Sequence, residues 1–289
     1  MFKDKQEYDR GLFPIGEAAK RGKISTRTLR YYEKLGLIEP DFVDTNGYRY
    51  YLSETILKIP IIKYLKIMDF TLEEIKEQLN KPDYCNMIKS FDSLLSRYDM
   101  DIDEIHCRQQ IVKDWKKLLE EACVVLSMKL YDISVKYIDK QVLIKYPVEF
   151  DYDYQSAILD LKFSNFVEEE GNKISGPVMI YYPSLVDRIK FEEKNKKISV
   201  LYIQRALKTL RNEVKFELRA GMYATKYHVG PHKDLAKSYK ELLEWEKTSD
   251  YVIKGPVIER FVADYWSTTD ESKYVTELIV PIKLREERK

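Results

Sequence analysis

Hydrophobic and polar positions alternate in three different rhythms along the chain. From Phe13 to Leu79 short apolar stripes at helical spacing are broken by turn and capping residues. Ile15 to Arg21 predicts a short helix, Gly22 a tight turn, and Ser25 the N-cap of a second helix from Thr26 to Lys34, since its hydroxyl can accept an otherwise orphaned backbone N–H. Asn46-Gly47, flanked by aromatics in "EPDFVDTNGYRYYLS", predicts a β-hairpin wing. Ser53 is expected to cap a further helix, and Thr71-Leu-Glu-Glu74 reads as a capping box opening the last helix of the segment. Pro60 inside the Ser53 helix should kink it, at up to about 3 kcal/mol if uncompensated.

The second rhythm is a heptad. Stepping by four and three from Phe91 gives Leu95, Tyr98, Ile102, Ile105, Gln109, Val112, Lys116, Leu119, Cys123, Leu126 and Leu130, ten of twelve apolar or nearly so. One helix over about 85–130 cannot bury such a seam alone, so pairing with a second copy of the chain is expected. The alternative is a long amphipathic helix lying on its own domain.

From Gln141 onward strands and helices mix, with a weak duplication. "ISGPVMIYY" from Ile174 returns 79 positions later as "IKGPVIERF" from Ile253, with Ile180 in the place of Glu259. Each copy carries a helix before this strand and a second strand after it, so two β-α-β-β units are expected to share one antiparallel sheet with a cleft on an approximate two-fold axis. The fold class is α+β: an N-terminal extension (1–12), a winged helix-turn-helix (13–82), a dimerisation helix (85–130) and a duplicated domain (141–289).

Composition adds little until charge is read locally. The 289 residues suffice for two or three domains, and 49 basic against 48 acidic residues leave no bulk attraction for nucleic acid. Between Lys20 and Lys66, however, ten basic residues face five acidic ones. Cys85, Cys107 and Cys123 form no CxxC pair and are too few for a disulfide framework, so a reducing interior is expected. With no apolar leader and no membrane-length run, a soluble cytoplasmic protein is expected.

A recognition helix needs short polar and cationic residues near its start for base edges and flanking cations for phosphates. Ser25, Thr26, Arg27, Thr28, Arg30 and Tyr31 supply both, although they could equally form the solvated face of an ordinary helical hairpin. "IGEAAKRGKISTRTLRYYEKLGLIEP", "NGYRYY" and "FTLEEIKEQL", in that order, resemble the MerR family of bacterial transcription regulators over some 65 residues. The resemblance implies a homodimer on double-stranded promoter DNA, with Arg27 and Tyr31 in the major groove and Arg30 nearby. It implies backbone contacts from Tyr48 and Arg49, and phosphate contacts from Lys63 and Lys66. It further implies a promoter with an overlong spacer, distorted on effector binding so that RNA polymerase can use it.

Metal sensing is disfavoured: Cys85 stands near the start of the long helix, but no cysteine pair follows the helix, and three scattered thiols do not hold an iron–sulfur cluster. No cofactor or metal is expected. "GMYATKYHVGP", "LLEWEK", "IKGPVIERF" and "ELIVPIK" resemble the GyrI-like effector-binding domain found in multidrug-responsive regulators.

Residue chemistry supports a lipophilic, cationic effector independently. Strand alternation puts Val257, Glu259 and Phe261 on one face, with Val178, Ile180 and Tyr182 on the matching face of the other copy. One carboxylate among apolar and aromatic walls would compensate a cation, and tyrosine faces would add cation–π attraction of roughly 0.5–2 kcal/mol each. Tyr223, Tyr227 and Val229, on the strand entering the second repeat, and Tyr274, on the expected neighbour of the Glu259 strand, complete the candidate ligand set. Glu259 could instead face solvent, or pair with Arg219 or with Arg260, although Arg260 points to the opposite face. Two other functions remain open: a hydrolase in which Glu259 and Tyr227 or Tyr274 activate water, and a C-terminal domain that binds a protein partner or no ligand, which a pocket filled by its own side chains would favour.

Overall fold

The computed structural model describes residues 11–191 and 197–285, so nearly all of the expected N-terminal extension lies outside the described residues. The chain divides into two compact units, Met1–Glu104 and Ile105–Lys289.

In the first unit, β1 (Leu12–Pro14) leads into α1 (Ile15–Gly22) and α2 (Thr26–Leu35). Ser25 caps α2 by accepting from the Thr28 N–H at 2.9 Å. The left-handed residue of the turn is Lys23 (φ 49°), not Gly22. Gly22 serves a different end: a Cβ there would sit 2.4 Å from Ile59 Cδ1, so its lack of a side chain lets α1 close onto the core. The wing is β2 (Phe42–Val43) and β3 (Arg49–Leu52), and β1 adds a third strand, in the order β1-β3-β2. Asp44 Oδ1 accepts from the N–H groups of Asn46 and Tyr48, which holds the hairpin turn.

Ser53 is not the cap expected of it, because it is already the first residue of α3 (Ser53–Ile56). Asp41 takes over that end, accepting from the Leu52 N–H at 2.7 Å and the Thr55 hydroxyl at 2.9 Å. Pro60 also finds its explanation. The helix breaks at Leu57 and restarts as α4 (Lys58–Ile67), which puts Pro60 in the first turn, where a missing N–H costs no intrahelical bond. Thr71 and Glu74 form the reciprocal capping box of α5 (Leu72–Asn80). Leu29, Tyr32, Ile38, Tyr51, Ile59, Ile62 and Ile75 make the core.

Helix α6 (Tyr84–Met128) runs for 45 residues. Phe91 packs edge-on to Phe70 in the first unit, and Leu118, Ala122 and Val125 bury against the sheet of the second. Of the heptad positions, Leu95, Ile102, Ile105, Val112 and Leu119 are exposed in the single chain.

Among the described residues, the strands of the second unit form one nine-stranded sheet. Its strands are β4 (Ser134–Ile138), β5 (Gln141–Phe150), β6 (Met179–Tyr182), β7 (Ile198–Arg205), β8 (Lys215–Leu218), β9 (Gly221–Val229), β10 (Tyr251–Ile253), β11 (Val257–Ala263) and β12 (Val275–Leu284). Along the order β4-β9-β12-β11-β6-β7-β5-β8, the two halves mirror each other about the β11–β6 junction, with β10 paired on β12. Helices α7 (Tyr154–Ile158), α8 (Leu161–Glu169) and α9 (Leu185–Phe191) belong to the first repeat, and α10 (Leu235–Thr248) to the second. Gly176 and Gly255, one in each Gly-Pro-Val segment, both take positive φ (74° and 88°), a conformation that favours glycine. The two repeat strands pair antiparallel, with Glu259 directly opposite Ile180 and Val257 opposite Tyr182.

Candidate functional site

Two surfaces carry the chemistry, one in each unit. On α2, Ser25, Thr26, Arg27, Arg30 and Tyr31 are exposed, while Leu29 and Tyr32 anchor the opposite side in the core. Tyr48, at the tip of the wing, is also exposed, as is Lys66. Two of the expected phosphate-binding cations have intramolecular duties instead. Arg49 forks onto Glu33 at 2.7 and 3.0 Å, which ties the wing to α2. Lys63 donates to the carbonyls of Gly22 and Lys23 at 2.7 and 3.1 Å, satisfying the C-terminal end of α1.

In the second unit, Glu259 is fully buried. Its Oε1 accepts from Arg188 Nε at 2.8 Å and from the Tyr239 hydroxyl at 2.7 Å, with the Tyr154 hydroxyl at 3.4 Å. Its Oε2 accepts from the Tyr182 hydroxyl at 3.2 Å. Arg188 is fully buried as well, and its Nη2 donates to the Tyr154 oxygen at 2.6 Å. The guanidinium carbon lies 4.8 Å from the Tyr239 ring centre, 5.2 Å from that of Tyr182 and 5.6 Å from that of Tyr152.

Burial works against the Arg188 charge more than any single neighbour favours it, but Glu259 together with the oxygens of Tyr154, Tyr239 and Tyr182 outweighs burial and holds the proton more firmly than in free arginine. Burial, then Glu259, pushes the hydroxyls of Tyr154, Tyr182 and Tyr239 well above the usual phenol range, so all three stay neutral donors. The result is a carboxylate box with tyrosine walls and a guanidinium inside it.

An aromatic annex adjoins the box. His232 lies between Tyr154 and Tyr274, each ring centre 5.1 Å away, with Phe261 edge-on at 5.2 Å. Neither imidazole nitrogen has a hydrogen-bond partner among the described residues. A cavity of about 320 Å³ lined by Trp115, Phe163, Val178, Asp264 and Trp266 opens in the same unit.

Of the expected ligand residues, Glu259, Tyr182, Phe261 and Tyr274 belong to the box or its annex. Tyr223, Tyr227 and Val229 do not. The β12–β9 register pairs Leu278, the neighbour of Glu259, with Lys226, so the odd-numbered residues of β9 point to the other face of the sheet. There Tyr223 donates to the Arg219 carbonyl, Tyr227 donates to Glu121 of α6 at 2.7 Å, and Val229 packs in the cluster under α6. Arg260 also lies on that face, bonded to Glu277 and Glu121, Arg219 is exposed, and the buried Glu259 pairs with Arg188, so the readings of Glu259 as solvent-facing or paired with Arg260 or Arg219 do not hold.

Sequence reasoning missed Arg188, Tyr154 and Tyr239, which reach the box from α9, α7 and α10, and His232, which enters the annex from the turn before α10. No local signal marked Arg188, since its stretch "LVDRI" holds two charged residues of five and reads as a half-exposed helix. Cys85, Cys107 and Cys123 are free thiols, and no group of three metal-binding side chains occurs among the described residues.

Comparison with known proteins follows the same division. Residues 14–51 match the MerR family regulatory protein family and residues 162–283 the GyrI-like small molecule binding domain. The multidrug-efflux transporter 2 regulator of Bacillus subtilis is 23% identical over 271 residues, covering 91% of this chain and 92% of that protein. The mercuric resistance operon regulatory protein of Bacillus cereus is 34% identical over 118 residues, covering 38% of this chain and 85% of that protein. EcmrR, in a cryo-EM complex with DNA, is similar at 21% identity with a TM-score of 0.44, covering 94% of this chain and 100% of that one. The match of residues 14–51 to the MerR family model and the 34% identity to a regulator of which 85% is covered make this chain a member of the MerR family of transcription regulators, carrying a GyrI-like small-molecule binding domain over residues 162–283.

Proposed function

We propose that the protein binds a promoter as a homodimer and activates transcription when a lipophilic cation enters the Glu259 box. The observation that carries this reading is the box itself: a buried carboxylate and three tyrosine rings already surround a guanidinium, so the site is built for a delocalised positive charge. The likeness to a multidrug-efflux regulator along almost the whole chain agrees with an effector of that kind. On the DNA side, Arg27 and Tyr31 reach base edges while Ser25, Thr26, Arg30, Tyr48 and Lys66 position the backbone. Arg49 and Lys63 contribute by holding the wing and the α1–α2 turn in place. The effector then favours the distorted promoter that RNA polymerase can engage.

Hydrolysis fits the geometry less well, since Glu259 is committed to an arginine and to tyrosine hydroxyls rather than poised over water. Tetraphenylphosphonium serves as the test probe. It is expected to bind the wild type and raise transcription from the cognate promoter, with binding weakened about tenfold or more in Glu259→Gln, because one buried charge is lost. Retention of full affinity by Glu259→Gln would remove the box from the reading. Arg27→Ala should weaken specific DNA binding at fixed salt by about 1–3 kcal/mol, measured by anisotropy, with effector affinity unchanged.

A further inference from the structure

The effector site of the proposed function is not empty: its own chain fills it. Among its contacts there, Arg188 donates from Nε to Glu259 Oε1 and from Nη2 to the Tyr154 oxygen, while its guanidinium carbon lies over the rings of Tyr239, Tyr182 and Tyr152. Both partners are wholly buried. A second positive charge cannot join the first in this space, because one carboxylate compensates one cation. Any cationic effector must therefore replace Arg188.

We infer that Arg188 is a resident cation that competes with the effector for the Glu259 box and selects, as effectors, planar cations bearing N–H groups of the amidinium or guanidinium type. This inference rests on the effector reading above and narrows it.

The selection follows from which atoms lose partners on exchange. When Arg188 leaves, Glu259 keeps the hydroxyls of Tyr239 and Tyr182, but Oε1 loses a charge-assisted N–H and the Tyr154 oxygen loses its donor. An aryl amidinium restores both bonds from one flat group and lays its plane on the same rings. A quaternary ammonium or phosphonium supplies charge and cation–π contact but no N–H, and leaves two buried acceptors short. Arg188 enters from α9, a helix of seven residues tied to the preceding turn by Ser184, whose carbonyl accepts from the Arg188 N–H and whose hydroxyl accepts from the Asp187 N–H. The competitor thus sits on a short element of the first repeat, whereas its counter-charge sits in the second.

The test uses the full-length dimer, with benzamidine and guanidinium chloride as N–H cations and tetramethylammonium chloride as the control lacking N–H. Thermal unfolding of Arg188→Ala should start below the wild type, since Glu259 is left buried without a counter-charge, and should recover by several degrees with millimolar benzamidine or guanidinium but not with tetramethylammonium. The Arg188→Ala, Glu259→Gln double variant should show no such recovery. Arg188→Lys keeps a charge in the box and guards against a failure to fold; calorimetry should find benzamidine binding it about tenfold more tightly than the wild type, because a single ammonium cannot hold both acceptors. Equal benzamidine affinity for wild type and Arg188→Lys, or a stabilisation of Arg188→Ala by tetramethylammonium as large as that by benzamidine, would overturn the inference. If tetraphenylphosphonium binds the wild type and drives transcription while benzamidine shows no preference for the Arg188 variants, the inference fails alone. If no cation binds any of these proteins, the reading of a cation-responsive regulator fails with it.

Discussion

At the scale of single residues, His232 is the group most out of keeping with its surroundings. It is 3% exposed, and burial pushes its pKa down to about 4 from an ordinary 6.5. The unfolded chain therefore takes up a proton between about pH 6.5 and 4 that the folded chain refuses, and stability falls as pH drops through that window. Asp264 acts in the opposite sense over part of the range, since burial raises its pKa to about 6 and favours the folded state on acidification. Comparison with His232→Phe isolates the imidazole: the phenyl ring keeps the stack between Tyr154 and Tyr274 and has no nitrogen to leave unpaired. Chemical denaturation should show the variant gaining on the wild type by on the order of 2–3 kcal/mol between pH 7 and pH 4; parallel curves would mean that His232 titrates normally. Period-two alternation had already nominated Glu259, Tyr182 and Phe261, because face assignment along one strand needs only counting. It misassigned Tyr223, Tyr227 and Val229, because their face depends on how β9 registers against β12, which no local pattern states. It could not reach Arg188, Tyr154 or Tyr239 either, since side chains descending from helices onto a sheet have no fixed spacing to the strand they meet.

Among elements, β11 has two faces with different duties. Glu259 looks into the box, while the next residue, Arg260, lies on the other side among Glu277, Glu121 of α6 and, through Glu121, Tyr227. Glu277 is almost wholly buried and also paired to Lys136, and burial works against its charge while Arg260 and Lys136 draw its pKa down. A shift of β11 on effector exchange is thereby tied to α6. Glu121→Gln keeps a hydrogen-bonding group but removes the charge from this link. It should leave effector affinity within about twofold while reducing the transcriptional response to effector, as two contacts of the size of single hydrogen bonds are weakened away from the ligand. A parallel loss of affinity and response would place Glu121 in the box's own support rather than in its output. Elements with capping chemistry, such as α2 and α5, were legible at their starts because Ser25 and Thr71 act on backbone groups three residues away. The break at Leu57 was not, as Pro60 reads the same in a kinked helix and in the first turn of a new one.

For the molecule as a whole, the α6 seam leaves a row of apolar side chains exposed in the single chain. Ile105 and Val112 are 61% and 66% exposed, with Leu95, Ile102 and Leu119 in the same row. Such a row along 45 helical residues is what two antiparallel copies would bury between them. Val112→Asp should convert the dimer to monomer by sedimentation at micromolar concentration and abolish tight binding to a two-fold promoter site; an unchanged dimer would place the interface elsewhere. The duplicated sheet has a consequence of a different kind. Because Glu259 and Ile180 are equivalent positions paired directly across the β11–β6 junction, an identical residue in both copies would face itself, with Cβ atoms about 5 Å apart. Two carboxylates at that distance repel and would share a proton rather than offer two charges. A perfectly symmetric ancestor of this domain could thus have been greasy at its centre, or have carried a single negative charge only as a proton-sharing pair. Divergence at one position of one copy gives a lone carboxylate, whose charge depends on no shared proton.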